Sequence, residues 1–236
     1  MFALLLQPGM AVAANPHSPA PSAGEPAPPG VPTLDAFPDA AAFDEMLERL
    51  QGAELWREPT QEGVLQRLAE LQRLLPPGDR LRTLRFRALR CDWDFLEDPE
   101  AQLRYADAGL AEARSLGDGA MAASFHYCRA AAIEQLQGMT EALADIDAGI
   151  AIARRVGDDP LLADGLSLRG STRSLLGEQS LAIPDLLAAQ QLYQRAGRRD
   201  DAESLLQDIA ISYRRMGELD KAREYLEQNA EYARKL

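Results

Sequence analysis

His126 and Cys128 stand two residues apart, and they are the nearest approach to a catalytic pair in this 236-residue sequence. A thiolate beside an imidazole works as a nucleophile only where the two side chains meet. Residues two apart on a helix point to different faces, so this spacing reads as two ordinary helix residues. The only other candidates of these types are His17 and Cys91. Two histidines and two cysteines so scattered do not make a zinc site. The sequence also lacks a Gly-rich phosphate loop ending in Lys-Ser/Thr, an HExxH helix, a G-x-S-x-G elbow and an EF-hand loop. The expectation is a chain without catalytic residues, cofactor or metal.

The charged residues hold a sharper question. Arg129 precedes Ala130 and, forty residues later, Arg169 precedes Gly170. In a stacked helical protein the slot before the small residue is normally apolar. Arg90 stands one residue off the same ladder in the preceding stretch. Stacked guanidiniums repel unless acids sit between them. Two answers are open. Asp145, Asp147 or Asp185 may serve as internal partners; or the ladder receives a foreign carboxylate or phosphate.

These side chains need elements to position them, and the composition points to helices. Alanine and leucine dominate, aromatic content is 6%, and 26% of residues are charged, which suits an all-α protein. The net charge is −12, so a phosphate backbone is repelled and nucleic-acid binding is excluded as an expectation. Of the 25 basic residues only Lys221 and Lys235 are lysines.

Before the helices come two other segments. Residues 1–14, "MFALLLQPGMAVAA", end in small residues suited to cleavage after Ala13 or Ala14. They are expected to be the back end of a signal peptide whose basic start lies upstream, which places the mature chain in the periplasm or outside the cell; the alternative is a cytoplasmic protein with an apolar N-terminus. Residues 15–38 carry eight prolines in 24 positions and read as a disordered linker.

From residue 39 onward small residues recur at a period of forty. Gly117, Gly157 and Gly197 fall in step, as do Ala142, Ala182 and Ala222, and Gly109, Gly149 and Ala189. Helices approach closely only where side chains are short, so such ladders mark stacked helix pairs. The expected layout is a degenerate pair at 39–83 followed by repeats at 84–122, 123–162, 163–202 and 203–236. Pro99, Pro160 and Pro184 are expected in first turns of helices. The fold is then a right-handed α-solenoid, its concave face built from the first helix of each repeat. Groove candidates are Arg90, Asp92, Tyr127, Arg129, Glu134, Arg169, Gln207, Arg214 and Arg215. Such a groove suits a peptide, a protein or a small anion. On this register Cys91 lies within a turn of the position equivalent to Cys128 on the neighbouring first helix. Stacked helices lie about 10 Å apart, so two small buried thiols are the expectation and a disulfide the alternative.

The last repeat reads Ile209-Ala210, Tyr213, Gly217, Ala222, Leu226. This order resembles the tetratricopeptide repeat, in a long variant of about forty residues. Residues 40–236 also resemble the repeat region that precedes the cyclase domain of membrane-bound GGDEF-type diguanylate cyclases. That resemblance implies a periplasmic sensory module that binds a ligand or partner. The chain carries no GGDEF or GGEEF sequence, so no catalytic residue is carried over. Its last helix, from Leu219, is expected to turn Leu219, Ala222, Tyr225, Leu226, Ala230 and Ala233 toward its own repeat, with Tyr232 and Leu236 adding apolar surface. A solenoid end without a polar cap suggests continuation into a longer protein, or a homodimer through this helix.

Overall fold

Helix ends follow the capping residues closely. The computed structural model describes residues 40–51, 55, 58, 60–91, 93 and 98–234. The expectations for residues 1–38, Asp92 and Leu236 therefore lie outside the described residues. Among the described residues there are ten helices and no strand: α1 (Ala41–Arg49), α2 (Gln61–Leu74), α3 (Arg80–Cys91), α4 (Pro99–Leu116), α5 (Gly119–Leu136), α6 (Met139–Val156), α7 (Asp159–Leu176), α8 (Gln179–Arg195), α9 (Arg199–Arg215) and α10 (Leu219–Ala233). The carboxylates of Asp98, Asp118 and Asp158 accept from the Ala101, Met121 and Leu161 amides at 2.8, 3.0 and 3.0 Å, satisfying donors that a helix start leaves unpaired. Gly157 ends α6 and Gly177 ends α7 with φ of 74° and 85°, a left-handed cap that any Cβ would strain.

These caps shift the expected boundaries. The first helices begin at Arg80, Gly119, Asp159 and Arg199, about one turn before the positions read from the small-residue ladders. The ladders mark where helices touch, whereas the aspartates mark where they start. Pro99 and Pro160 sit in first turns, but Pro184 lies inside α8. It removes the amide that would bond the Ser180 carbonyl. Its ring is exposed on the outer side of the helix.

The helices pack in a repeating scheme. Each helix from α3 onward contacts the next, and the first helices α3, α5, α7 and α9 also contact one another in succession. Second helices α4, α6, α8 and α10 form the other layer. The result is an all-α, right-handed solenoid of helix-turn-helix repeats. Helices α1 and α2 close one end over α3 through Phe43, Leu47, Leu68, Leu71, Phe86 and Leu89. Between repeats, large side chains fill the gaps left by small ones. Tyr127 of α5 lies against Gly149 of α6 and Gly165 of α7, where an added Cβ would stand 2.3 and 2.2 Å from its ring and hydroxyl. Phe125 meets Gly109 and Leu186 meets Gly170 in the same way. Gly109, Gly149 and Gly170 are thus receptor positions for a bulky residue, whereas the Gly117, Gly157 and Gly197 ladder marks helix ends with open space at Cβ.

One expectation about the last helix needs correction. Of the six residues assigned to face the solenoid, only Ala222 is buried. Tyr225 is half-buried and stacks on Tyr213 with ring centroids 5.6 Å apart, while Leu219, Leu226, Ala230 and Ala233 are exposed. Among the described residues no helix packs on the outer half of this face.

Candidate functional site

The inner layer places the candidate residues on four helices. Arg90 is on α3; Tyr127, Arg129 and Glu134 are on α5; Arg169 is on α7; Gln207, Arg214 and Arg215 are on α9.

Arg169 is answered from within the chain. Its Nε and Nη2 donate to Asp185 Oδ2 and Oδ1 at 2.8 and 2.7 Å, and its Nη1 donates to Asp147 Oδ1 at 2.6 Å. Hydrogen bonding to Asp185 outweighs burial and holds the guanidinium above its ordinary pKa. Arg129 repeats the arrangement. Its Nε donates to Asp107 Oδ1 at 2.7 Å and its Nη1 to Asp145 Oδ2. In both cases one acid comes from the second helix of the same repeat and the other from the second helix before it. Arg129 and Arg169 are therefore rivets between consecutive repeats. An internal acid satisfies each, and a foreign anion would have to displace a carboxylate from it. Of the two readings open at Arg129 and Arg169, the internal acids are the one the geometry shows, and the placing of both in a ligand groove is corrected accordingly.

Asp145 carries a second bond that sequence reasoning missed. His126 Nδ1 lies 2.8 Å from Asp145 Oδ1, so His126, Asp145, Arg129 and Asp107 form one chain. His126 and Cys128 stand two positions apart and point to different neighbours: the histidine faces α6, the cysteine faces α3. Cys91 and Cys128 form a disulfide between α3 and α5, with Cα atoms 6.0 Å apart. This corrects the expectation of two thiols. The two Cα atoms approach more closely than the helix axes because both side chains sit on the facing sides of neighbouring first helices. Gln102 seals the bridge, its Nε2 donating to the Cys91 carbonyl at 3.1 Å.

Tyr127 is also a correction. It was expected in the groove, but it is buried in the core, and its hydroxyl donates to the Leu161 carbonyl at 3.2 Å. Burial pushes its phenol well above the ordinary range. Arg90 lies over the Phe86 ring at 5.6 Å. On α9, Arg215 Nη1 donates to the Ser174 carbonyl at 2.6 Å, while Arg214 is exposed and Gln207 half-exposed.

Glu134 is different from every residue above. It is half-buried at the last turn of α5, and burial alone raises its carboxyl above the ordinary glutamate value. The next repeat shows why. There Ser174 holds the equivalent place, bonded to Gln179 Oε1 at 3.1 Å and lying 2.9 Å from Ser212 Oγ. Forty residues earlier, the positions of Gln179 and Ser212 are Met139 and Thr172. Glu134 has thus lost the amide that would answer it. It also sits at a helix C-terminus, where a negative charge is disfavoured. Among the described residues no cation pairs with it.

Among the described residues no group of three or more His, Cys, Asp or Glu could hold a metal ion, and no helix is long and apolar enough to cross a membrane. The fold defines the class: an all-α helical-repeat protein. Comparison with protein-family models gives no match, and no curated protein sequence matches the chain. Among solved structures it is similar to BtubC (BKLC) from P. vanneervenii, with 13% identity, coverage of 85% of this chain and 91% of that one, and a TM-score of 0.58. It is also similar to a Rap protein complexed with competence and sporulation factor, with 15% identity, coverage of 81% and 64%, and a TM-score of 0.57. The chain thus spans 64% of the length of that Rap protein. At such identities the likeness shows the fold alone.

Proposed function

We propose that this chain is a non-catalytic binding module that takes a segment of another protein, or a peptide, along its first-helix layer. The observation that carries this reading is Glu134. The inner layer answers its arginines with its own acids, yet leaves this one carboxylate withdrawn from water without a cation. A lysine, arginine or amino terminus of a partner would supply it. The exposed Arg214 two repeats away offers the opposite charge, so the preferred partner carries a basic group followed by an acidic one. The fold likeness to a Rap protein complexed with a factor is consistent with a binding role.

The wider role we propose is sensory input from the periplasm, as the resemblance to GGDEF-protein repeat regions implies. The buried Cys91–Cys128 bridge supports an oxidising compartment. A cytoplasmic scaffold is the competing reading; it predicts free thiols in protein isolated from its native host.

The test is a screen of short peptides, with and without basic residues, against wild type and Glu134→Gln. Binding of basic peptides that falls at least about tenfold in the variant supports the groove assignment. Equal binding to both, or preference for peptides without a basic group, removes it.

A further inference from the structure

Helix α10 exposes a face that every other second helix buries. Leu226 is 46% exposed, whereas its equivalents forty, eighty and 120 residues earlier, Leu186, Ile146 and Ala106, are 0%, 1% and 0% exposed. Ala233 is exposed, whereas Ala153 and Ala113 are fully buried. In the earlier repeats the cover is the next first helix. The outer face of α10 thus continues an interface that the solenoid builds three times, and it is helix-shaped.

The residues of this face are spaced for a helix partner. Leu219, Arg223, Leu226, Ala230 and Ala233 alternate at intervals of four and three, the spacing of a two-helix seam. Ala230 and Ala233 are small enough for close approach. Charge then chooses the partner. Along one flank the order is Asp220, Arg223, Glu227, Glu231, Arg234. Read backwards against itself, this order sets Asp220 opposite Arg234 and Arg223 opposite Glu231, each twice; Glu227 alone meets its like. Asp220 and Arg223 stand 3.9 Å apart as an i,i+3 pair and are 99% and 71% exposed on their side chains, so this weak contact is readily exchanged for one across an interface.

We propose that the outer face of α10 is a self-association surface, on which α10 of a second copy packs antiparallel across a twofold axis. Leu226 of each copy lies against Ala230 of the other, and the paired charges set the register. The surface lies on the second-helix layer, apart from Glu134, and does not depend on the binding reading above.

Sedimentation velocity on the full chain tests this. Wild type is expected to run as a dimer at micromolar concentration, and Leu226→Glu as a monomer with unchanged helicity, since the side chain is already half in water. Asp220→Arg and Arg234→Asp should each weaken the dimer by about tenfold, and the double reversal should restore it, which a general loss of folding would not do. A monomeric wild type overturns the proposal. A dimer indifferent to Leu226→Glu, or a double reversal no better than either single, overturns it equally.

Discussion

Arg169 and Asp185 meet through two parallel hydrogen bonds, Nε to Oδ2 at 2.8 Å and Nη2 to Oδ1 at 2.7 Å. Both side chains are mostly out of water, at 14% and 10% exposure. The pair has a consequence that the last repeat makes plain. Forty residues on from Arg169, Asp185 and Asp147 stand Ile209 and Tyr225 of the last repeat and Leu187 of α8. All three charges are exchanged together for apolar residues, and the trio packs into the core cluster. The charged rivet and the apolar one are alternative solutions to the same inter-repeat contact.

Removing one partner from a buried charge network leaves an uncompensated charge, which costs about 3–5 kcal/mol. Arg169→Ala should lose stability on that scale, moderated because Arg173 also bonds Asp185 at 2.8 Å. Exchanging the whole trio (Arg169→Ile, Asp185→Tyr, Asp147→Leu) should bring most of the loss back. Urea denaturation decides: a triple variant less stable than the single one sinks the idea that the two trios are interchangeable.

Glu134 gives a pH prediction with a definite sign. Burial raises its carboxyl in the folded state above its value in the unfolded chain. The native state therefore holds its proton to higher pH, and folding stability falls as pH rises through the window between those two values. Glu134→Gln removes the penalty. The variant should be more stable than wild type at neutral pH, with the difference vanishing below the ordinary glutamate range. Denaturation midpoints at neutral and acid pH provide the check; a variant less stable at neutral pH would point to an internal cation on Glu134.

Much of this was legible in the sequence, for stated reasons. The period of forty could be read from small residues because some must receive a large side chain, as Gly109 and Gly149 do, while Gly117, Gly157 and Gly197 end helices in the left-handed region. Asp145, Asp147 and Asp185 were legible as partners, whereas Asp107 was missed although it stands 22 residues before Arg129 just as Asp147 stands 22 before Arg169. Tyr127 misled because aromatic residues serve equally as groove anchors and as core filling. What decides between them is the pair of glycines facing it from two other helices, which no single-helix projection contains. His126 was passed over because its partner lies on another helix, and the covering of α10 depends on what lies beyond it.

The Cys91–Cys128 bridge closes a loop of 37 residues between α3 and α5. Loop-closure arguments assign such a bridge about 3–4 kcal/mol. Reduction, or the variant with both cysteines replaced by serine, should lower the thermal midpoint. The loss should fall first on α1–α3, whose hold on the solenoid runs through this bridge and the packing around it. Hydrogen exchange resolved by segment would show it. Uniform loss of protection from α1 to α10 would mean that the solenoid unfolds as one unit and that the bridge does not staple its end.

The close approach of Tyr127 to Gly165 is testable by adding one carbon. A Cβ at Gly165 would stand 2.2 Å from the Tyr127 hydroxyl and 2.7 Å from Ile150 Cγ1. Neither neighbour is a free chain end, since the hydroxyl is held by the Leu161 carbonyl and Ile150 is fully buried. Gly165→Ala should therefore destabilise by about 1–3 kcal/mol through overpacking, despite alanine's better helix propensity, worth about 1 kcal/mol in the opposite direction. Gly119→Ala is the control. There the nearest atom is a methyl of the half-exposed Val156, which can rotate aside. If Gly165→Ala proved as stable as Gly119→Ala, Tyr127 would not be the wedge that sets the distance between α5, α6 and α7, and the small-residue ladder would need another cause.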